Sequence, residues 1–136
     1  SSAASDVYKR QPFDDTIFQN SEGVEIITLA ITPTASNSIL KIDFNCTFGG
    51  PSSQSGQLGL FQDTTANALC SQYDYIYGYG HLTLQHLMTA GTTSATTFKV
   101  RGGAGSGTVT FNGYSGVNAI GGDIPHTTLS IIEFGA

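Results

Sequence analysis

The stretch "ILKIDFNCTF", residues 39–48, alternates apolar and polar side chains without a break from Leu40 onward. Successive side chains of an extended strand point to opposite faces. Leu40, Ile42, Phe44, Cys46 and Phe48 therefore share one face, and Lys41, Asp43, Asn45 and Thr47 share the other. Such a segment is a half-buried strand with one wet face. No segment of the chain holds a 3.6-residue apolar period for more than two turns, so strand periodicity governs the fold.

The same pattern recurs along the chain. "GQLGLFQD" sets Leu58 and Leu60 on one face, and "GHLTLQHLMT" groups Leu82, Leu84, His86 and Met88. "TTFKVRG" buries Phe98 and Val100, and "GTVTFNG" buries Val109 and Phe111. "VEIITLAIT" is apolar on both faces, as a covered strand would be. "HTTLSIIEF" carries Leu129 and Ile131 on one face and Ile132 and Phe134 on the other, which suits a central strand or a contact surface. Gly- and Pro-rich breaks such as "GGPSSQSG" read as turns, and only "TTANALCSQ" could form a short turn of helix. With a poorly defined strand in "ALCSQYDYIYGYG", the count is about eight strands. The expected fold is all-β: an antiparallel β-sandwich, jelly-roll-like, with an extended N-terminal arm.

A chain of 136 residues builds one domain with one core. Only 11% of it is charged, against roughly 25% in an average domain, and Ser, Thr, Gly, Asn and Gln make up the difference. That composition is typical of β-proteins working outside cells or in particles. The net charge is −5, with five basic residues in all, too few to neutralise a run of phosphates; nucleic acid is not an expected partner. No apolar run approaches the ~20 residues that span a bilayer, so no membrane insertion is expected. The N-terminus "SSAASDVYKRQ" lacks the apolar region of a signal peptide. Its "DVYKRQ" resembles a translated adapter sequence. Residues 1–11 are accordingly expected to be a non-native or disordered tail, 12–23 an extended arm and 24–136 the sandwich domain.

No catalytic constellation is visible. His81 and His86 face opposite sides of their strand, and His126 begins the last one. No His, Cys or carboxylate spacing marks a metal site, and no cofactor is expected. Asp63, Asp74, Asp123 and Glu133 are scattered, without the paired carboxylates of a glycosidase. "GGAGSG" lacks the Lys and the strand-to-helix setting of a phosphate cradle, and there is no G-x-S-x-G.

Three surface or packing features remain. Tyr73, Tyr75, Tyr77 and Tyr79 alternate and form a row on one face of an extended chain, suited to a subunit interface or to stacking sugars. Trp, the strongest sugar-stacking side chain, is absent, which favours packing. Cys46 and Cys70 either form a disulfide, closing a ~24-residue loop for roughly 3 kcal/mol, or remain two buried thiols. "NCT" makes Asn45 a candidate glycosylation position, awkwardly placed in mid-strand.

The arm "DDTIFQNSE" is polar and carries few apolar residues. Extended, residues 12–23 reach roughly 40 Å. A domain of this size is ~35 Å across, from a radius of gyration of roughly 13.6 Å, so the arm can cross to a neighbour. The expected assembly residues are Phe13, Ile17 and Phe18, with Val24 and Ile26 beside them. Their docking would cover an open sheet edge.

Residues 14–136 carry a wider likeness, through "SEGVEI", "ITPTASNSILKI", "LGLFQDTTANAL", "TSATTFKVRGG", "GTVTFNGYSG" and "TLSIIEF". In these the chain resembles a family of β-sandwich domains common in environmental phage-like sequences, at the ends of tail-fibre and other virion appendage proteins. It also looks similar to subunits that polymerise into extracellular fibrils by strand donation. The resemblance implies a structural or adhesive role, extracellular or virion-associated, with no catalytic residues to carry over. The two cysteines and the tyrosine row depart from the general pattern. The expected function is a non-enzymatic subunit whose partners are copies of itself, in a fibre or filament; the alternative is a carbohydrate- or receptor-binding tip.

Overall fold

The computed structural model describes residues 5–7, 16–114, 117–118 and 127–135. Among them there is no helix. In chain order the strands are β1 (Ser5–Val7), β2 (Val24–Ile31), β3 (Ile39–Gln62), β4 (Cys70–Thr89), β5 (Thr96–Ala104), β6 (Val109–Phe111), β7 (Gly113–Tyr114), β8 (Val117–Asn118) and β9 (Thr128–Phe134). All pairings are antiparallel, and β7 and β8 form a small sheet of their own.

β3 is the spine. One of its edges is covered along its length by β4, from Ile39 opposite Thr89 to Leu60 opposite Cys70. The other edge receives three strands in turn: β9 along Ile39–Asn45, β6 at Phe48–Gly49 and β5 along Gly56–Gln62. β2 then adds to β5, and β1 to β6. The hydrogen bonds thus trace one continuous antiparallel sheet, curled into a half-barrel.

Two expected breaks are bridged. "ILKIDFNCTF" and "GQLGLFQD" are one strand, with "GGPSSQSG" running through the ladder, and "ALCSQYDYIYGYG" continues directly into "GHLTLQHLMT". Pairing slips between Gly50 and Gln54, where the extra residues let β3 bend without leaving its partner. On β4, Gly78 takes a φ of 98°, a left-handed value that glycine adopts at no steric cost. The helical turn expected in "TTANALCSQ" is absent. Thr65 N–H instead closes a turn on Gln62 C=O, and Asn67 bridges to Gln19.

The curl gathers the alternating apolar faces into one core: Leu40, Ile42, Phe44, Cys46 and Phe48 with Leu58 and Leu60 of β3, joined by Leu82, Leu84, Phe98, Val100, Val109 and Phe111. Leu129 and Ile131 pack against it from β9, and Val24 and Ile26 from β2. β2, expected as a covered strand, pairs only with β5 among the described residues, and Leu29 and Ala30 on it are exposed. Its hydrogen bonds are nonetheless made within this chain. Residues 5–7, inside the expected tail, pair with β6.

Candidate assembly surface

The outer face of the sheet is shaped by register. β4, β3 and β9 lie side by side, so Thr89, Ile39 and Phe134 form one row and Leu87, Lys41 and Ile132 the next. Ile39 is 39% exposed, Leu87 59%, Ile132 48% and Phe134 49%, so four large apolar side chains from three strands stand together in solvent. Clustered apolar exposure of this kind marks contact surfaces, whereas scattered single residues do not. Between Leu87 and Ile132, Lys41 pairs with Asp43 at 3.1 Å, and Gln85 donates to Asp43 at 2.8 Å. The Gln85 hydrogen bond foremost, with the hydrogen bond and charge of Lys41, holds the Asp43 carboxyl below its ordinary pKa. Further along, Asn45 Nδ2 donates to Thr128 Oγ1.

β9 is fastened at its end by Glu133. Its Oε1 accepts from Thr34 N–H at 2.8 Å, from the Thr34 hydroxyl at 2.9 Å and from the Ser38 hydroxyl. These donors, Ser38 foremost, favour the carboxylate and lower the Glu133 pKa. The clamp therefore positions Ile132 and Phe134 on the outer face.

The tyrosine row lies lower on β4, and all four of its rings are exposed, Tyr77 most at 86%. Tyr79 stacks on Tyr114, ring centroids 4.7 Å apart and planes tilted by 35°. Among the described residues β4 pairs with β3 alone. Near the lower end of that strand Tyr75 N–H is bonded to Asp74 Oδ1 at 2.8 Å, a local cap.

The arm residues divide. Phe18 is buried in this chain's own domain, edge-on to Phe61 at 5.4 Å between centroids. Around it Asn20 N–H donates to Ala66 C=O, Ala68 N–H to Phe18 C=O, and Arg101 Nε to Glu22 C=O. Ile17 remains 56% exposed, Val24 and Ile26 belong to β2 and face the core, and Phe13 lies outside the described residues.

Among the described residues the remaining candidates do not converge. His81 is exposed, 3.3 Å from the Thr47 hydroxyl, and His86 is half-buried on the other face, where burial lowers its pKa. Asp63 accepts from Thr96 and Thr97 at a turn, while His126 and Asp123 lie outside the described residues. Among the described residues no three His, Cys, Asp or Glu side chains cluster to hold a metal ion. Both cysteines are free: Cys46 is buried opposite Leu82, and Cys70 is half-buried opposite Leu60. Asn45 is exposed on the outer face.

Two members of the apolar cluster, Ile39 and Leu87, escape a reading by periodicity. Leu87 breaks the polar series of its face (His81, Thr83, Gln85, Thr89), and that single misplaced apolar residue is the signal that finds it. No protein-family model matches the chain, and neither does any curated protein.

Proposed function

We propose that this chain is a non-enzymatic structural subunit that associates with copies of itself in an extracellular or virion-associated fibre. The observation that carries the reading is the Ile39–Leu87–Ile132–Phe134 cluster, four exposed apolar side chains on neighbouring strands around Lys41. Each side chain is roughly half exposed, so its burial recovers about 1 kcal/mol, half the value of a fully exposed residue. Packing two such outer faces gives sheet on sheet. The Lys41–Asp43 pair, with Lys41 set among the cluster, offers both signs of charge to a two-fold-related copy. The resemblance to appendage domains favours the same reading. A neighbour-docking role for the arm now rests on Ile17, because Phe18 is engaged in its own domain.

The test is the mass of the purified chain by sedimentation velocity, with the Ile132→Lys/Phe134→Lys variant beside it. Wild-type association that the variant loses, with its circular dichroism unchanged, supports the face as the contact; equal behaviour of the two removes it.

A glycan-binding tip is the second reading, favoured by Tyr75 and Tyr77, exposed two residues apart on one strand. Tyr75→Ala/Tyr77→Ala would then abolish glycan binding and leave association intact; an array of glycans with no bound member at high protein concentration excludes it.

A further inference from the structure

The cluster is a face, but β4 also presents an edge, and an edge asks for a different partner. Unpaired N–H and C=O groups along a strand are satisfied by another extended strand. β4 runs for twenty residues with no Lys, Arg or Pro to blunt that edge. Its two halves differ. Cys70–Tyr77 carries the strand's one carboxylate, Asp74, which also caps the Tyr75 amide. Tyr79–Thr89 lies beyond the Gly78 bend and contains no acid and no Lys or Arg.

We propose that the Tyr79–Thr89 edge of β4 pairs antiparallel with the same segment of a second copy, across a two-fold axis near Leu84. The inference rests on reading the chain as a self-assembling subunit and names its second contact. Charge selects the occupant. Two chains of net charge −5 repel, and this segment brings no carboxylate of one copy against a carboxylate of the other. The other outer strands carry acids, Glu25 on β2 and Glu133 on β9. The contact is also continuous with the apolar face, because Leu87 stands on this segment and pairing sets two such faces into one wider sheet surface. On the inner face the half-buried His86 and Met88 gain cover from the partner strand. A register centred on Leu84 places residue 83 opposite residue 85 of the partner copy, and 87 opposite 81. With a face contact and an edge contact on separate surfaces, growth beyond a dimer needs no third site.

The register supplies the test. Thr83→Lys/Gln85→Lys sets like charges opposite one another across the axis, and like pairs in that position destabilise a ladder. Sedimentation should show this variant as a smaller species at concentrations where the wild type assembles. Mixing it with Thr83→Glu, which sets a carboxylate at position 83 opposite an ammonium at position 85, should restore the larger one. Wild type that assembles while the doubly substituted variant assembles equally overturns the edge contact and leaves the face contact standing. Wild type that stays monomeric removes both. Hydrogen exchange on the unmodified protein decides the matter should the variant fail to fold. Amides of 79–89 that are free in the dilute monomer and protected in the assembly support the pairing, and equal exchange in both states overturns it.

Discussion

Phe18 meets Phe61 edge-on, ring planes at 79° and centroids 5.4 Å apart, and both side chains are at most 2% exposed. The ring of Phe18 lies over Gly59, where an added Cβ would stand 2.4 Å from its Cδ1. Residues 16–23 are thereby tied to β3 and β5 of the same chain, through a side chain that the arm's sparse apolar content and long reach assign to a neighbour. The close approach requires glycine at 59 and phenylalanine at 18 together.

Phe18→Ala should therefore lower stability by about 3–5 kcal/mol, the usual range for a buried Phe. Gly59→Ala should cost about 1–3 kcal/mol by displacing the ring. In the Phe18→Ala background the glycine substitution should cost less, since the atom it strikes is gone. Urea denaturation of the four proteins measures this. Additive losses would show that the ring and the glycine do not meet.

Glu133 predicts an acid-sensitive C-terminal strand. Its folded pKa is lowered by the Ser38 and Thr34 donors, so the contribution is complete above the unfolded value, about 4.3. It is lost as pH falls through the folded value. Glu133→Gln should remove this part of the pH dependence, read as the melting temperature in buffers at and below about pH 4.3. An unchanged profile would contradict the clamp.

His86 acts at a higher pH and with the same sign. Burial lowers its folded pKa, so the fold favours the neutral ring, and stability declines as pH drops below the unfolded value of about 6.5. His86→Gln should flatten the melting temperature between about pH 7 and 5. A decline of the same size in the variant would place its cause elsewhere.

The thiols differ in reactivity. Burial pushes Cys46 up to about 12 and raises Cys70 as well, and only Cys70 is partly accessible. A thiol reagent at neutral pH should label Cys70 slowly and Cys46 only on unfolding. Peptide mapping after timed labelling reports this, and rapid labelling of Cys46 in the folded protein would contradict its place in the core.

Much of the fold is legible in alternation, because a period of two fixes which side chains share a face. Every inward residue expected in 40–48, from Leu40 to Phe48, is buried. Alternation is silent about which strands are neighbours, and the misreadings arise there. "GGPSSQSG" has the residues of a turn, yet with β4 paired on either side of it the same residues bend a continuous β3. Phe18 finds Phe61 far along the chain, a contact with no local signature. The outer cluster depends on the register of β9 and β4 against β3, which brings Phe134 and Thr89 to Ile39 from distant parts of the sequence. The two-sided apolarity of "LSIIEF" is half of that signal, and Leu87 is the other half.

The most direct measurement is sedimentation velocity of the unmodified chain across a wide range of concentration. Self-association predicts a mass that rises with concentration above the 14.2 kDa of the single chain. One species of that mass at every concentration would contradict it.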